Sequence, residues 1–401
     1  MNINAINKIN QINIFKNKKN NLSFKGGQDI FEKSITVKGD KTEAKIYTTN
    51  VDYAAINQIR EFCNHPVFKD APIRIMPDVH AGVNSVVGFS APVVNGKIIP
   101  NIIGGDIGCG VLCVKFNAEN DEIDFEKLDT IIRRYVSTKS KETPKSKKKI
   151  ASSFEREIDE ICRKKFPKET TEVMKSLGTL GGGNHFIEID KDDENNFYLI
   201  IHTGSRKFGK EVNKYHQGIA NTQNPYRIEA LSYLSGAEAQ EYLEDAKLAA
   251  KFSQVNRRII ADEIIQQMGW EEKDAFESIH NYISKDDIIR KGAIEAKEGK
   301  KLIIPLNMRD GCIIGEGKGN IDWNKTAPHG AGRQYKRSVT SNFITLEEYK
   351  KSMNGIYSNC INASHIDESP QAYKNAGEII DNIDETVEIV DLISPIFNYK
   401  D

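Results

Sequence analysis

Three stretches of the sequence set metal-binding side chains beside glycine, where the backbone bends sharply and nothing bulky fills the space. The first is Asn101-Ile-Ile-Gly-Gly-Asp106-Ile-Gly-Cys109-Gly110. A carboxylate and a thiol three residues apart, in a loop with four glycines, can both turn toward one ion. The plainer reading is an ordinary turn with a buried cysteine. The second stretch is Gly181-Gly-Gly-Asn184-His185-Phe186-Ile187-Glu188, followed after an apolar run by His202-Thr-Gly-Ser-Arg206. Taken alone, either histidine could be a satisfied structural residue. The third pairs His280-Asn281 with His329-Gly330-Ala331-Gly332-Arg333, which follows Pro328. A histidine between proline and glycine, with arginine four positions on, suits an exposed nucleophile or an anion site.

The sequence has no G-x-x-x-x-G-K-[ST] phosphate loop, no G-x-G-x-x-G at a strand-to-helix junction and no paired C-x-x-C. A simple ATPase, a dehydrogenase and a zinc ribbon are thereby disfavoured. What remains is Asp, Cys and several His combined with arginines and glycine loops, the makings of a metal site that handles polyphosphate.

The elements that must position these residues are read from periodicity. Ser34–Tyr47 alternates around Gly39-Asp40 as a hairpin, and Val51–Phe62 has helical spacing. Between Ile73 and Phe116 the short apolar runs IRIM, VVGFSAPVV, KIIP and VLCVKF predict strands separated by glycine-rich turns. Residues 124–175 turn helical, interrupted over Ser137–Lys149, where six lysines accompany one glutamate and an inserted, mobile basic segment is expected. Further strands are expected at 197–202, 301–304 and 387–396, and helices over 226–268 and 271–283, which places His280-Asn281 near a helix end. No fixed-period repeat is present. The expected fold class is α/β: one mixed α/β domain, a β-rich core with helical insertions, over 26–401. Residues 1–25 read as a disordered Asn/Lys-rich tail, since the first 21 hold eight asparagines and neither an acid nor an arginine.

At 401 residues, 39% hydrophobic and 28% charged, the chain can bury a large core without staples. No apolar run approaches the roughly 20 residues of a membrane span. The six cysteines are scattered, which fits reduced thiols in a cytoplasmic protein. A formal net charge of −1 means that contact with nucleic acid must come from local basic patches.

Read in order, MPDVHAG (76–82), IIPNIIGGDIGCG (98–110), LGTLGGGNHFIEI (177–189), IHTGSRKFG (201–209), HNY (280–282), PLNMRDG (305–311), GKGN (317–320), APHGAGR (327–333) and DESPQAYK (367–374) closely resemble the RtcB family of RNA-splicing ligases. The match runs from about residue 30 to the C-terminus. The resemblance implies a ligase dependent on GTP and Mn²⁺ (two ions) that joins RNA ends bearing a 2′,3′-cyclic phosphate or 3′-phosphate to RNA bearing a 5′-hydroxyl. It implies that Asp106, Cys109 and His185 hold one metal and Cys109, His202 and His280 the other, with Cys109 as bridge. It makes His329 the guanylated nucleophile. Asn184, Phe186, Ile187, Glu188, Asn281, the segment Pro305, Leu306, Asn307, Met308 and Cys312, the backbone of His329, Gly330, Ala331 and Gly332, and Lys400 resemble the guanylate pocket. Arg206 and Arg333 resemble phosphate-binding residues. RNA and GTP are the implied partners; no activating protein and no membrane are indicated.

Two departures stand out. Pro305-Leu306-Asn307-Met308 and Cys312 replace a Pro-Gly-Ser-Met pattern and a following serine, and the chain ends Asn398-Tyr-Lys400-Asp401 where Val-Lys-Gly is common. His65, His216 and His365 are expected to be structural or solvated, and His80 to support a neighbouring loop. The residues alone also admit a two-metal phosphoesterase or nuclease, and an RNA-binding module built on closed structural zinc sites.

Overall fold

The alternation around Gly39-Asp40 folds Ile35–Lys38 (β1) and Glu43–Ile46 (β2) into an antiparallel hairpin, in a computed structural model that describes residues 33–401 apart from 120, 121, 138, 140–143 and 151. The tail expected over 1–25 lies outside the described residues. Tyr53–Asn64 (α1) starts at Asp52, whose side chain accepts from the Ala55 N–H at 2.8 Å. Its buried face of Ala55, Ile59, Phe62 and Cys63 has the i, i+4, i+7, i+8 spacing of an amphipathic helix. Ile73–His80 (β3), Val87–Pro92 (β4) and Gly110–Asn117 (β5) follow, then the helices Phe125–Tyr135 (α2), Ser152–Lys165 (α3) and Thr170–Ser176 (α4). Phe186–Lys191 (β6) and Phe197–Thr203 (β7) form a hairpin, followed by Arg206–Gln223 (α5) and Gly236–Met268 (α6). The remaining strands are Glu271–Ile279 (β8), Asn281–Ile283 (β9), Ile288–Lys291 (β10), Ala293–Glu295 (β11), Lys301–Asn307 (β12), Gly311–Gly317 (β13), Thr326–Pro328 (β14) and Val387–Tyr399 (β15).

These strands make a six-stranded sheet ordered β1-β2-β3-β4-β10-β9, a seven-stranded sheet ordered β12-β13-β15-β6-β7-β5-β8, and the pair β11-β14. β2 and β3 run parallel because α1 intervenes. The seven-stranded sheet is antiparallel throughout. Helices α5 and α6 pack against each other, and α6 also covers β5 and β7. The chain is therefore the mixed α/β fold with helical insertions that the sequence leads one to expect.

Several expectations are corrected. Residues 271–283 form β8 and β9, not a helix: β8 is the edge strand of the seven-stranded sheet, its outward side chains are charged, and ladder bonds to β5 override the helical spacing. His280-Asn281 thus lies between strands. KIIP is not a strand; it makes two isolated bridges, Lys97 to Val94 and Ile98 to Leu234, and a helical turn starts at Pro100. The long helix begins at Gly236, after an irregular stretch behind Pro225. The basic segment is docked where it is described: Ser146 is buried, its N–H donates to Glu263 at 2.9 Å and its hydroxyl to the Ile259 carbonyl at 2.8 Å.

Candidate active site

Strand register brings the chemistry to one end of the seven-stranded sheet. Gly110 of β5 sits opposite both Thr203 of β7 and Ile279 of β8, and Phe186 of β6 sits opposite His202. Cys109, His185, His202 and His280 therefore emerge side by side. His280 occupies the single residue between β8, in one sheet, and β9, in the other. The buried Arg257 of α6 fastens this end, donating to the carbonyls of Gly108 at 3.0 Å and Thr203 at 2.8 Å.

Within this end, Cys109 Sγ lies 3.3 Å from His202 Nε2 and 3.6 Å from His185 Nε2. His202 Nε2 is 3.4 Å from His280 Nε2, and His185 Nε2 is 3.0 Å from Asp106 Oδ2. The Nδ1 atoms of His185 and His202 each donate to a backbone carbonyl, of Leu180 and Asn184, at 3.0 Å. That assigns the proton to Nδ1 and turns both Nε2 lone pairs inward. Burial pushes His202 and His280 well below the usual histidine range, so both are neutral donors. Burial would raise Asp106, but the neighbouring His185 holds its carboxyl below the usual range. Burial and Asp106 raise the Cys109 thiol, so a cation bound there must displace a proton. Two three-residue donor groups result, Asp106–Cys109–His185 and Cys109–His202–His280, each with its ligand atoms within 4.8 Å of one another. The donor chemistry fits two divalent ions sharing a thiolate. Gly204 gives Asp106 its room, because a Cβ there would collide with the carboxylate.

His329 faces this cluster from the other side. Its ring centroid is 4.6 Å from that of His280. The fully buried Asp78 of β3 accepts from the His329 backbone N–H at 3.1 Å and from Nδ1 at 2.6 Å, both through Oδ2. Nε2 is left without a hydrogen bond among the described residues. Gly332, at φ +75°, lets the loop lie against the Asp78 backbone where any Cβ would clash. His80 bonds the Asp78 carbonyl through Nδ1 at 3.0 Å, and burial lowers it to about 4.

A cavity of about 1530 Å³ opens over both groups. Asp106, Asn184, His185, Phe186, Glu188, His202, Arg206, His280, Pro305, Leu306, Asn307, Met308, His329, Gly330, Ala331, Gly332, Arg333 and Lys400 all line it. Cys109 lies just beneath. Ile187, Asn281 and Cys312 are buried behind the wall. Ile187 points to the opposite face of β6, into the core with Ile189. The Asn281 amide is spent on the scaffold, donating to the Asp106 carbonyl at 3.1 Å and accepting from the Gly292 N–H at 3.0 Å. The Cys312 thiol donates to Glu188 Oε1 at 3.8 Å, and Asn398 donates to Glu188 Oε2 at 2.6 Å. Burial and the nearby Asp190 raise the Glu188 carboxyl well above its usual range.

Arg206 holds φ +52° at the start of α5, with Nε 3.3 Å from Thr179 Oγ1. Arg333 is committed to the protein: to Glu368 at 3.3 Å, to the Asp367 carbonyl at 2.6 Å and to the Tyr335 carbonyl at 3.1 Å. Lys400 donates to Glu368 at 2.7 Å, as does the Tyr373 hydroxyl. Asp78 and Glu368 were not singled out from sequence. Their signal was a carboxylate within a strand-like run, in MPDVHAG, and an acidic pair ahead of a lysine, in DESPQAYK. His65 is buried between Val67 and the Leu231 carbonyl, and His216 is buried against Asp245. No described helix is long and apolar enough to cross a membrane.

A profile of the family described as tRNA-splicing ligase RtcB matches residues 58–401. The chain belongs to the RtcB family. It is 27% identical to the RNA-splicing ligase RtcB of Escherichia coli K12 over 405 aligned positions, covering 90% of this chain and 94% of the relative. It is 25% identical to the tRNA-splicing ligase RtcB of Aeropyrum pernix, covering 76% of this chain and 82% of that one. The tRNA-splicing ligase RtcB of Methanococcus maripaludis is likewise 25% identical, with 76% and 82% covered. Both donor groups and the Asp78–His329 pair lie within the span matched by the RtcB profile.

Proposed function

We propose that the protein is an RNA ligase of tRNA splicing or RNA repair, acting in the cytoplasm, which uses GTP and two Mn²⁺ ions to join a 2′,3′-cyclic phosphate or 3′-phosphate end to a 5′-hydroxyl end. The observation that carries this reading is His329. Asp78 fixes its tautomer and its direction, leaving Nε2 free in a large cavity beside two metal-capable groups. On this reading Nε2 bonds to the α-phosphorus of GTP as the bond to pyrophosphate breaks. GMP then passes to an oxygen of the RNA 3′-phosphate, which frees His329. The 5′-hydroxyl attacks that activated phosphate and GMP leaves; a cyclic end is first opened by water. A 3′-phosphate is otherwise a poor electrophile, which is why GTP is spent.

Asp106, Cys109 and His185 would hold one ion and Cys109, His202 and His280 the other, and the ions when bound supply charge neutralisation on phosphoryl oxygens. The donor set is borderline soft, so Zn²⁺ and Co²⁺ compete with Mn²⁺ by raw affinity. Glu188 is the base-reading residue, since a carboxyl oxygen accepts from guanine N1–H or its amino group. Arg206 faces the phosphates from the rim.

The test uses Mn²⁺ and GTP labelled at the α-phosphate. Wild type should become covalently labelled, and His329→Ala should not, while retaining normal metal content by elemental analysis. Label on another residue of His329→Ala would remove the assignment. A protein that cleaves RNA ends without ever taking label would instead be a two-metal phosphoesterase.

A further inference from the structure

The loop that follows His329 carries two stacked aromatic rings on its outer side. Tyr335 and Phe343 have centroids 4.7 Å apart and planes within 10° of parallel. Phe343 is 61% exposed, a large apolar side chain at the surface. One face of its ring is taken by Tyr335, and the other is open to solvent.

The pair is rigidly mounted. Between the rings, Arg337–Asn342 makes a short helical turn around the buried Thr340. The Thr340 hydroxyl donates to the Lys336 carbonyl at 3.0 Å, and the N–H groups of Phe343 and Ile344 return to the Thr340 carbonyl at 3.0 and 3.1 Å. Arg333 Nε donates to the Tyr335 carbonyl at 3.1 Å. Arg333 and Arg337 both line the cavity and both pair with Glu368, so the platform is built onto the wall of the site. Lys336 is exposed and makes no ion pair among the described residues.

We propose that the Tyr335–Phe343 pair is a stacking platform for an unpaired nucleobase near the RNA end, with Lys336 neutralising an adjoining phosphate. This rests on the reading of the cavity as an RNA-joining site. An exposed ring presents its face to any of the four bases, so the contact tolerates sequence while holding the strand in place. The cation at position 336, exposed and without an ion pair among the described residues, favours a phosphate-bearing occupant over an apolar protein surface.

The test uses short single-stranded RNAs with a 3′-phosphate, or with a 5′-hydroxyl, carrying 2-aminopurine at successive positions from the end. Wild type should quench the fluorescence at one or two positions. Phe343→Ser should lose that quenching and bind the RNA roughly five- to a hundredfold more weakly. Phe343→Trp should retain both. The KM for RNA should rise in Phe343→Ser with label uptake from GTP unchanged, since that step needs no base contact. Unaltered quenching and KM in Phe343→Ser, with a melting temperature like wild type, would overturn the platform while leaving the ligase reading intact. Wild type that neither binds RNA nor takes label would remove the ligase reading and the platform with it. Loss of a protein partner with RNA binding preserved would reassign the face and likewise overturn the proposal.

Discussion

Asp78 is the residue that orients His329, the proposed nucleophile. It gives His329 two hydrogen bonds through one oxygen. Asp78→Asn keeps the shape but can offer its amide nitrogen to Nδ1, which favours the wrong tautomer. Label uptake from GTP should fall by on the order of a hundredfold or more, with metal content and melting temperature near wild type; a rate within twofold of wild type would show that Asp78 is only structural. Glu368 plays a different part. Burial would raise its carboxyl, yet Lys400, Arg337 and Arg333 hold it down from the usual 4.5 to about 2. Its folded pKa lies below its unfolded one, so it contributes stability above about pH 5 and loses it as the pH falls toward 2, roughly 3 kcal/mol across the window. In Glu368→Gln, thermal melts should be less stable at pH 7 and flatter between pH 5 and 3. An unchanged pH slope would show that the cluster titrates elsewhere. Neither acid stood out in the sequence, because their partners lie far off: 251 positions separate Asp78 from His329, and 32 separate Glu368 from Lys400. The clustered donors Asp106, Cys109, His185, His202 and His280 stand out by contrast, since side-chain type and adjacent glycine are local signals.

At the scale of elements, the junction between β7 and α5 sets where Asp106 lies in the candidate metal site. Asp106 occupies the space beside Gly204 where a methyl group would go. Gly204→Ala should therefore push the carboxylate out of line, and equilibrium dialysis with Mn²⁺ should show one ion bound more weakly than the other; equal, wild-type affinity at both sites would show that the loop yields without cost. This junction also shows what pattern reading misses. The hairpin over β1 and β2 and the helix α1 followed from periodicity because each buries one face, and the strand β7 from an unbroken apolar run that is buried on both. The segment from 271 to 283 did not. Its apolar residues at 275, 276, 279, 282 and 283 fit a helical stripe, and only the ladders of β8 with β5 and of β9 with β10 make it two strands. The misreading mattered for the site, since it placed His280 on a helix instead of at the crossing between two sheets.

At the scale of the whole molecule, a formal net charge of −1 leaves RNA binding to local surfaces. Lys207, Lys210 and Lys214 of α5 recur at helical spacing along the cavity mouth. Lys207 is paired with Glu169 and Glu211 at 2.9 Å each, whereas Lys210 and Lys214 make no ion pair among the described residues. RNA affinity should fall steeply with salt, and Lys210→Gln combined with Lys214→Gln should flatten a plot of log K against log salt by roughly one to one and a half, at about 0.7 for each phosphate of a single strand that is no longer neutralised. An unaltered slope would move the strand to another path. The arrangement of β5, β6, β7 and β8 has a consequence for descent. Each residue along a strand advances the chain by about 3.3 Å, so a slip of two would shift Cys109 by roughly 6.6 Å along β7 and take it out of the donor group with His202 and His280. Insertions and deletions are thus barred from the ligand-bearing ends and admitted at the far ones, in the turn at 192–196 and in the stretch that leaves β5. A single residue inserted at the end of one of these strands that bears Cys109, His185, His202 or His280 would turn the side chains beyond it to the opposite face and break up both donor groups.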